Sequence, residues 1–425
     1  MQDLLQGTAA TPRPQNDTQS SELLTLRNAA AVRERCKCIY DWVADRHSPY
    51  FALDTGRLDD VARYVADVTR EAYPDLLIPY HSRWRHFCAD GVDRWQGITE
   101  RVAAEGPIEL ARTAVDLAVV SVLLDAGAGD AWRYRDPESN RIQARSEGLA
   151  IASIDMFKAG CFSSDPAWPW RVDHVALKQF NAVTLGRGLQ VAADNPLVGL
   201  DQRTALLQRL GRALASQPAL FGTSLARPGH LVDHFIRCSP QGRVTASDLL
   251  TTLLDAFPAI WPSGLIVEGF PIGDAGRHPA VCTGDQSDGI VPFHKLSQWL
   301  VYSLIEPLEM AGLQVDGVEQ LTALAEYRNG GLLVDFGVIR ARQQLDPRTR
   351  WEVGSQFVVE WRALTVALMD QLLTNVRDIL KVGASFQMPQ LLQGGTWSAG
   401  RKIALTLRPP LGPSPISIAA DGSVL

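Results

Sequence analysis

Residues 78–87 read Ile-Pro-Tyr-His-Ser-Arg-Trp-Arg-His-Phe and place His81, Arg83, Trp84, Arg85 and His86 side by side. Two guanidiniums and two imidazoles this close repel one another unless an anion or carboxylates sit among them. The planar forks of Arg83 and Arg85 suit a phosphate or carboxylate, and the Trp84 ring suits stacking on a flat ligand. The plain alternative is a surface turn stitched by internal salt bridges.

A second run, Leu321 to Asp335, contains Glu326-Tyr327-Arg328-Asn329-Gly330-Gly331 between two apolar stretches. It has the outline of a helix–hairpin–helix, with glycines allowing positive φ and a second helix whose first amides can hold an anionic or polar group. Glu326 and Asp335 are candidate carboxylates for stabilising an oxocarbenium-like centre or activating water at a glycosidic carbon. Against this stand two plainer roles: Asp335 paired with a neighbouring arginine, and Glu326 as a helix cap.

In the third run, Val291 to Tyr302, helical spacing puts His294, Gln298 and Tyr302 on one face, with Lys295 and Trp299 on neighbouring stripes. That face could present an imidazole, an amide and a ring to a polar ligand, or simply be one side of an amphipathic helix. Just before it, Asp274, His278, Cys282, Asp285 and Asp288 are zinc-type ligand residues without a specific spacing motif. His230 and His234 stand four apart but lack the glutamate of a His-Glu-x-x-His motif. The glycine-rich run from Asp125 to Trp132 follows a helix and lacks the Lys-Ser/Thr of a phosphate loop, so a helix–turn is expected there, with Trp132 a possible wall of a site.

These runs need helices to position them. Apolar periodicity predicts helices over 21–44, 58–71, 108–124, 146–159, 172–193 and 202–215, and one opening at Thr245. Residues 261–292 read as a long loop or short strands. Helices are expected again over 293–311, 317–325, 331–340 and 358–380. The alternation over 402–407 and 416–419 predicts a C-terminal β hairpin. The fold class is therefore mainly α: residues 1–21 as a flexible tail, 22–390 as a helical body and 391–425 as a small β appendage.

Composition narrows the function. The chain has 425 residues, 46% of them hydrophobic, and a formal net charge of −6, which argues against nucleic-acid binding. No apolar run reaches the length of a membrane span. Six scattered cysteines are too few for a disulfide scaffold and fit reduced thiols in the cytoplasm.

The runs at 78–87, 291–300, 326–333 and 360–368 resemble the uracil-catabolism protein four family. Gly-Gly-Thr-Trp (394–397), Ala-Gly-Arg-Lys (399–402) and Asp421-Gly422 agree, so the likeness runs from about residue 22 to the end. The resemblance implies a fold like the helix–hairpin–helix DNA glycosylases. It also implies a place in pyrimidine breakdown, where uracil becomes a nucleotide, the ring is opened and ribosylurea-type intermediates release urea. The reaction it suggests is hydrolysis of the ribose–urea N-glycosidic bond. Asp335 or Glu326 would stabilise the oxocarbenium ion, and Arg83, Arg85 and Arg328 would hold a phosphate or ribose hydroxyls. His81, His294, Gln298 and Asn329 would bind or protonate the urea, beside Trp84 and Lys295. No cofactor is expected, with zinc as the alternative. The expected partners are a small ribosyl substrate and other uracil-degradation enzymes, with no membrane and no nucleic acid. The competing readings are a non-catalytic subunit that binds a pathway intermediate and a uracil phosphoribosyltransferase-like activity.

Overall fold

A computed structural model describes residues 21–88, 91–258, 260, 264–346 and 348–419. Residues 1–20 of the expected tail, and Asp421-Gly422, lie outside the described residues. The chain is mainly helical, and its strands are short and pair only two at a time.

The helices that frame the candidate site are α1 (Ala29–Ala44), α2 (Leu58–Ala72), α3 (Arg83–Phe87), α4 (Pro107–Leu123), α5 (Arg145–Lys158), α6 (Lys295–Met310), α7 (Tyr327–Asp335), α8 (Gln356–Leu380) and α9 (Trp397–Leu407). Helix α1 starts where the Asn28 side chain accepts the Ala31 amide, and it buries Val32, Cys36, Ile39 and Val43 at helical spacing. Helix α2 buries Leu58, Val61, Ala62, Val65 and Ala66 in the same way. Helices α4 and α6 are buried almost all round and pack on each other through the centre of the molecule. Helix α8 lies against α1 and α2, α3 against α5, and α7 against α9. One continuous apolar cluster runs from Ala29 to Ile416.

Several sequence expectations need correction. The segment expected as one helix over 172–193 is two short ones, His174–Lys178 and Ala182–Gly188, because Asp173 and then Asn181 each cap a new start. The 261–292 region, expected as a long loop or short strands, does carry short strands: Leu265–Val267 pairs with Phe270–Gly273 and Ala275–Arg277 with Ile290–Pro292, both antiparallel.

Residues 321–335 do not form a helix–hairpin–helix. Only a single 3-10 turn, Val318–Gln320, precedes them, and 321–326 run without helix up to Glu326, the N-cap of α7. Gly330 and Gly331 lie inside α7. They are needed for close approach: a Cβ at Gly330 would stand 2.7 Å from both Trp361 Nε1 and Thr365 Oγ1. The turn is at Gly337, with φ +74°, where the Gly337 and Val338 amides donate back to Val334 and Leu333 and end the helix.

Residues 402–407 are helical, not a strand. The buried positions of α9 are Ala399, Gly400 and Ala404, while Leu405 and Leu407, which supply the apparent alternation, are exposed. Ser417–Ile418 is a strand, but it pairs in parallel with Arg350–Trp351, so no C-terminal hairpin forms among the described residues.

Candidate functional site

Just before α9, the helix widens into a π turn over Leu392–Thr396. Such a turn inserts one residue into the helical register and re-aims the side chains around it. Gly394 and Gly395 let it press on α2: a Cβ at Gly395 would fall 2.5 Å from Val65 Cγ1 and 2.6 Å from Thr69 Oγ1. The turn delivers Gln393 and Trp397 to a cavity of about 220 Å³, whose lining includes His81, Arg85, His86 and Glu147.

His81 is buried, with Nδ1 3.0 Å from Gln393 Oε1. Gln393 donates its amide nitrogen to the Tyr73 hydroxyl at 3.0 Å, so its oxygen faces His81 and Nδ1 is the donor. That leaves the Nε2 lone pair of His81 available as an acceptor. The His81 ring stacks on Trp299, with centroids 6.1 Å apart at 26°, and His86 stands between Trp299 and Trp397. Burial lowers the pKa of both imidazoles, and the Arg83, His81 and Arg85 charges push His86 well below its ordinary value. Both rings are therefore neutral near pH 7.

The expected repulsion in 81–86 is relieved by the chain's own groups. Arg83 is fully buried, ion-paired with Asp125 at 3.1 Å, and donates to Ser121 Oγ and to Ser146. Arg85 pairs with Glu306. Trp84 is not a stacking platform: its Nε1 donates to the Ser303 carbonyl at 2.8 Å and its ring packs against Phe87 and Trp95.

Beyond Asp125 lies the most unusual pair. Glu326 is half-buried, caps α7 by accepting the Arg328 and Asn329 amides, and makes no ion pair among the described residues. Burial raises its pKa despite those amides and the nearby Lys295 and Arg328 charges. Lys295 opens α6, its own amide donating to Asp274 at 2.9 Å. Among the described residues its ammonium has neither hydrogen-bond nor ion-pair partner. Burial lowers its pKa, against the opposing fields of Glu326 and Asp125. A desolvated carboxyl and an unpartnered amine in each other's field form the kind of pair from which acid–base sites are built.

Other candidates are held by hydrogen bonds within the chain. Asp335 is locked onto Arg408 by two hydrogen bonds of 2.8 and 2.6 Å. Gln298 clamps residue 322 through both its amide groups, and Tyr302 donates to the Thr322 carbonyl. His294 is buried with Nε2 2.8 Å from the Leu26 carbonyl. Arg328 is buried and donates to the Gly412 carbonyl, and the Asn329 amide nitrogen donates to Leu324. Trp132 is fully buried and donates to Leu189, so it walls no site.

The zinc-type loop residues each have their own partners: Asp274 with Arg362, His278 with Glu360, Asp285 with Ser287 and Asp288 with the Thr283 amide. Cys282 is exposed, and no group of three metal-ligating side chains converges among the described residues. His230 Nδ1 lies against the Phe221 carbonyl, while His234 faces Cys238.

Sequence reasoning did not single out Asp125, Glu147, Gln393 or Trp397 as site residues. Only the Gly-Gly-Thr-Trp run at 394–397 marked part of this surface.

The model of a family described as a protein of unknown function (DUF1688) matches residues 25–425. The chain belongs to this family. It is similar to a protein named uracil catabolism protein 4 from Lachancea kluyveri, 36% identical over 94% of this chain and 98% of the relative. It is also similar to a protein named urg3 from Schizosaccharomyces pombe (strain 972), 37% identical over 95% of this chain and 98% of the relative. Among the described residues no helix is long and apolar enough to cross a membrane.

Proposed function

We propose that this DUF1688 member acts in uracil catabolism by hydrolysing the N-glycosidic bond of a ribosylurea-type compound, releasing urea. The relatives' names supply the pathway. The observation that carries the reaction is Glu326: a half-buried carboxyl with a raised pKa, free of any ion pair among the described residues, in the field of an unpartnered lysine. The glycosidase reading does not depend on a helix–hairpin–helix, which residues 321–335 do not form.

In this reading Glu326, in preference to Asp335, stabilises the positive charge that develops at C1 of the ribose as the C1–N bond breaks. The cavity then takes the ureido group. Glu147 accepts its N–H donors, the neutral imidazoles of His81 and His86 exchange hydrogen bonds with it, and Trp397 covers its flat face. Water adds to C1, and the departing urea nitrogen must gain a proton. In this reading Lys295, whose proton burial disfavours, moves that proton. The enzyme would meet its substrate in the cytoplasm, supplied by a ring-opening step.

The test is to incubate purified protein with ribosylurea and with its 5-phosphate and follow urea. Release that stops in Glu326→Gln supports the reading. No urea from either compound, with ligand still bound, moves the chain to the class of non-catalytic subunits.

A further inference from the structure

Three arginines, Arg145, Arg328 and Arg401, stand in one another's field beside Glu147 and Trp397 of the cavity lining. Arg145 donates to the Leu411 carbonyl at 3.1 Å, and Arg328 donates to the next carbonyl, Gly412, also at 3.1 Å. Two guanidiniums from different helices thus meet on one turn. Carbonyls satisfy donors but carry no net charge. Helix α9 sits directly on the start of α7, where a Cβ at Gly400 would fall 2.4 Å from the Arg328 carbonyl oxygen. Arg401, the next residue, joins the group and bonds Glu147 at 2.9 Å.

Glu147 pairs with Arg401, and Glu326 adds its field at Arg328. Asp130 stands 3.9 Å from Arg145 and is exposed, and Glu326 is turned back onto the amides of its own helix. Three further features mark this place. The buried Arg328 has an Nε with no partner although the side chain is only 3% exposed. Arg145 holds φ at +53°, a strained value for a residue with a side chain. It also opens α5, whose N-cap Ala144 offers no side-chain acceptor to the first amides. Burial and the Arg328 and Arg401 charges disfavour its proton, which the field of Tyr327 opposes.

We propose that Arg145, Arg328 and Arg401 seat a phosphate group, so that the substrate is a ribosyl 5-phosphate and not the free riboside. This rests on the ribosyl reading above and specifies its substrate class. The arginine seat adjoins the cavity through Glu147 and Trp397: both line the cavity and both touch Arg401, whose guanidinium lies 5.6 Å from the Trp397 ring. Planar guanidinium forks are the donors from which a phosphate dianion accepts hydrogen bonds.

The test is calorimetric titration of the full chain with ribose 5-phosphate and with ribose. Ribose 5-phosphate should bind at least about tenfold more tightly than ribose, and Arg145→Gln with Arg401→Gln should weaken it by about tenfold to a hundredfold. If the double variant melts early, Arg401→Gln alone, at a half-buried guanidinium, gives the same comparison. Equal affinity for the two sugars, no binding of either, or wild-type affinity in the variants would overturn the phosphate seat. Urea released equally fast from ribosylurea and its 5-phosphate would sink it while leaving the glycosidase standing. Ribose 5-phosphate bound at these arginines without any urea release would do the reverse.

Discussion

At the scale of residues, the two candidate carboxylates of the 321–335 run have opposite fates. Asp335 spends both oxygens on Arg408, while Glu326 keeps its charge unpaired beside Lys295. Asp335→Asn should therefore behave as a stability change, costing about 1–3 kcal/mol in denaturant unfolding and leaving kcat near wild type. A large drop in kcat with unchanged stability would return Asp335 to the chemistry. For Glu326 the sign of the pH dependence is fixed by the direction of its shift. A raised pKa keeps the carboxyl protonated to higher pH, so the rate should fall as pH drops through a value above the ordinary carboxylate range. Burial shifts His81 and His86 down, so their charged forms are disfavoured near pH 7. A kcat profile with its acid limb at the usual glutamate value would contradict this assignment.

At the scale of elements, the site depends on glycines that let helices touch. Gly400→Ala would drive a methyl group into the Arg328 carbonyl, so it should cost about 1–3 kcal/mol and weaken anion binding by displacing the start of α7. A variant as stable as wild type, with unchanged binding, would show that this contact positions nothing. These glycines also mark the limit of what the sequence discloses. Gly330-Gly331 looks like a turn because glycine permits positive φ, yet here Gly330 packs closely against Trp361 and Thr365 and Gly331 against Pro415, a long-range fact with no local signature. Lys402 to Leu407 alternates like a strand, but the face that α9 buries is made of Ala399, Gly400 and Ala404, which a pattern built on large apolar residues overlooks. Glu326 is legible as a cap. Asp125, Glu147 and Gln393 are not legible as site residues, because no periodicity joins α4, α5 and the π turn. Long amphipathic stretches such as α1, α2 and α8 were read correctly, since their apolar spacing is itself the signal.

At the scale of the whole molecule, α6 and α8 tie the site to one continuous core. Asp274 is central to this: it receives two bonds of 2.8 Å from Arg362 on α8, and the amide of Lys295 on α6. Burial alone would raise its pKa, but the Arg362 charge and those bonds bring the net value below the ordinary one. A depressed folded pKa means that the pair's contribution is full above the unfolded value of about 3.9 and is lost as pH falls through the folded value. Asp274→Asn leaves Arg362 buried without its counter-charge, so it should cost about 3–5 kcal/mol at neutral pH. The thermal midpoint of the variant should also depend less on pH at the acid end. An unchanged midpoint would mean that this pair holds nothing together.

The most direct measurement of the central claim is the turnover number for urea release from ribosylurea 5-phosphate, compared between wild type, Glu326→Gln and Asp335→Asn under one condition. The account predicts that Glu326→Gln loses about a hundredfold or more in kcat while Asp335→Asn, once folded, keeps it. Full activity in Glu326→Gln, or no urea from the wild-type protein, would contradict it.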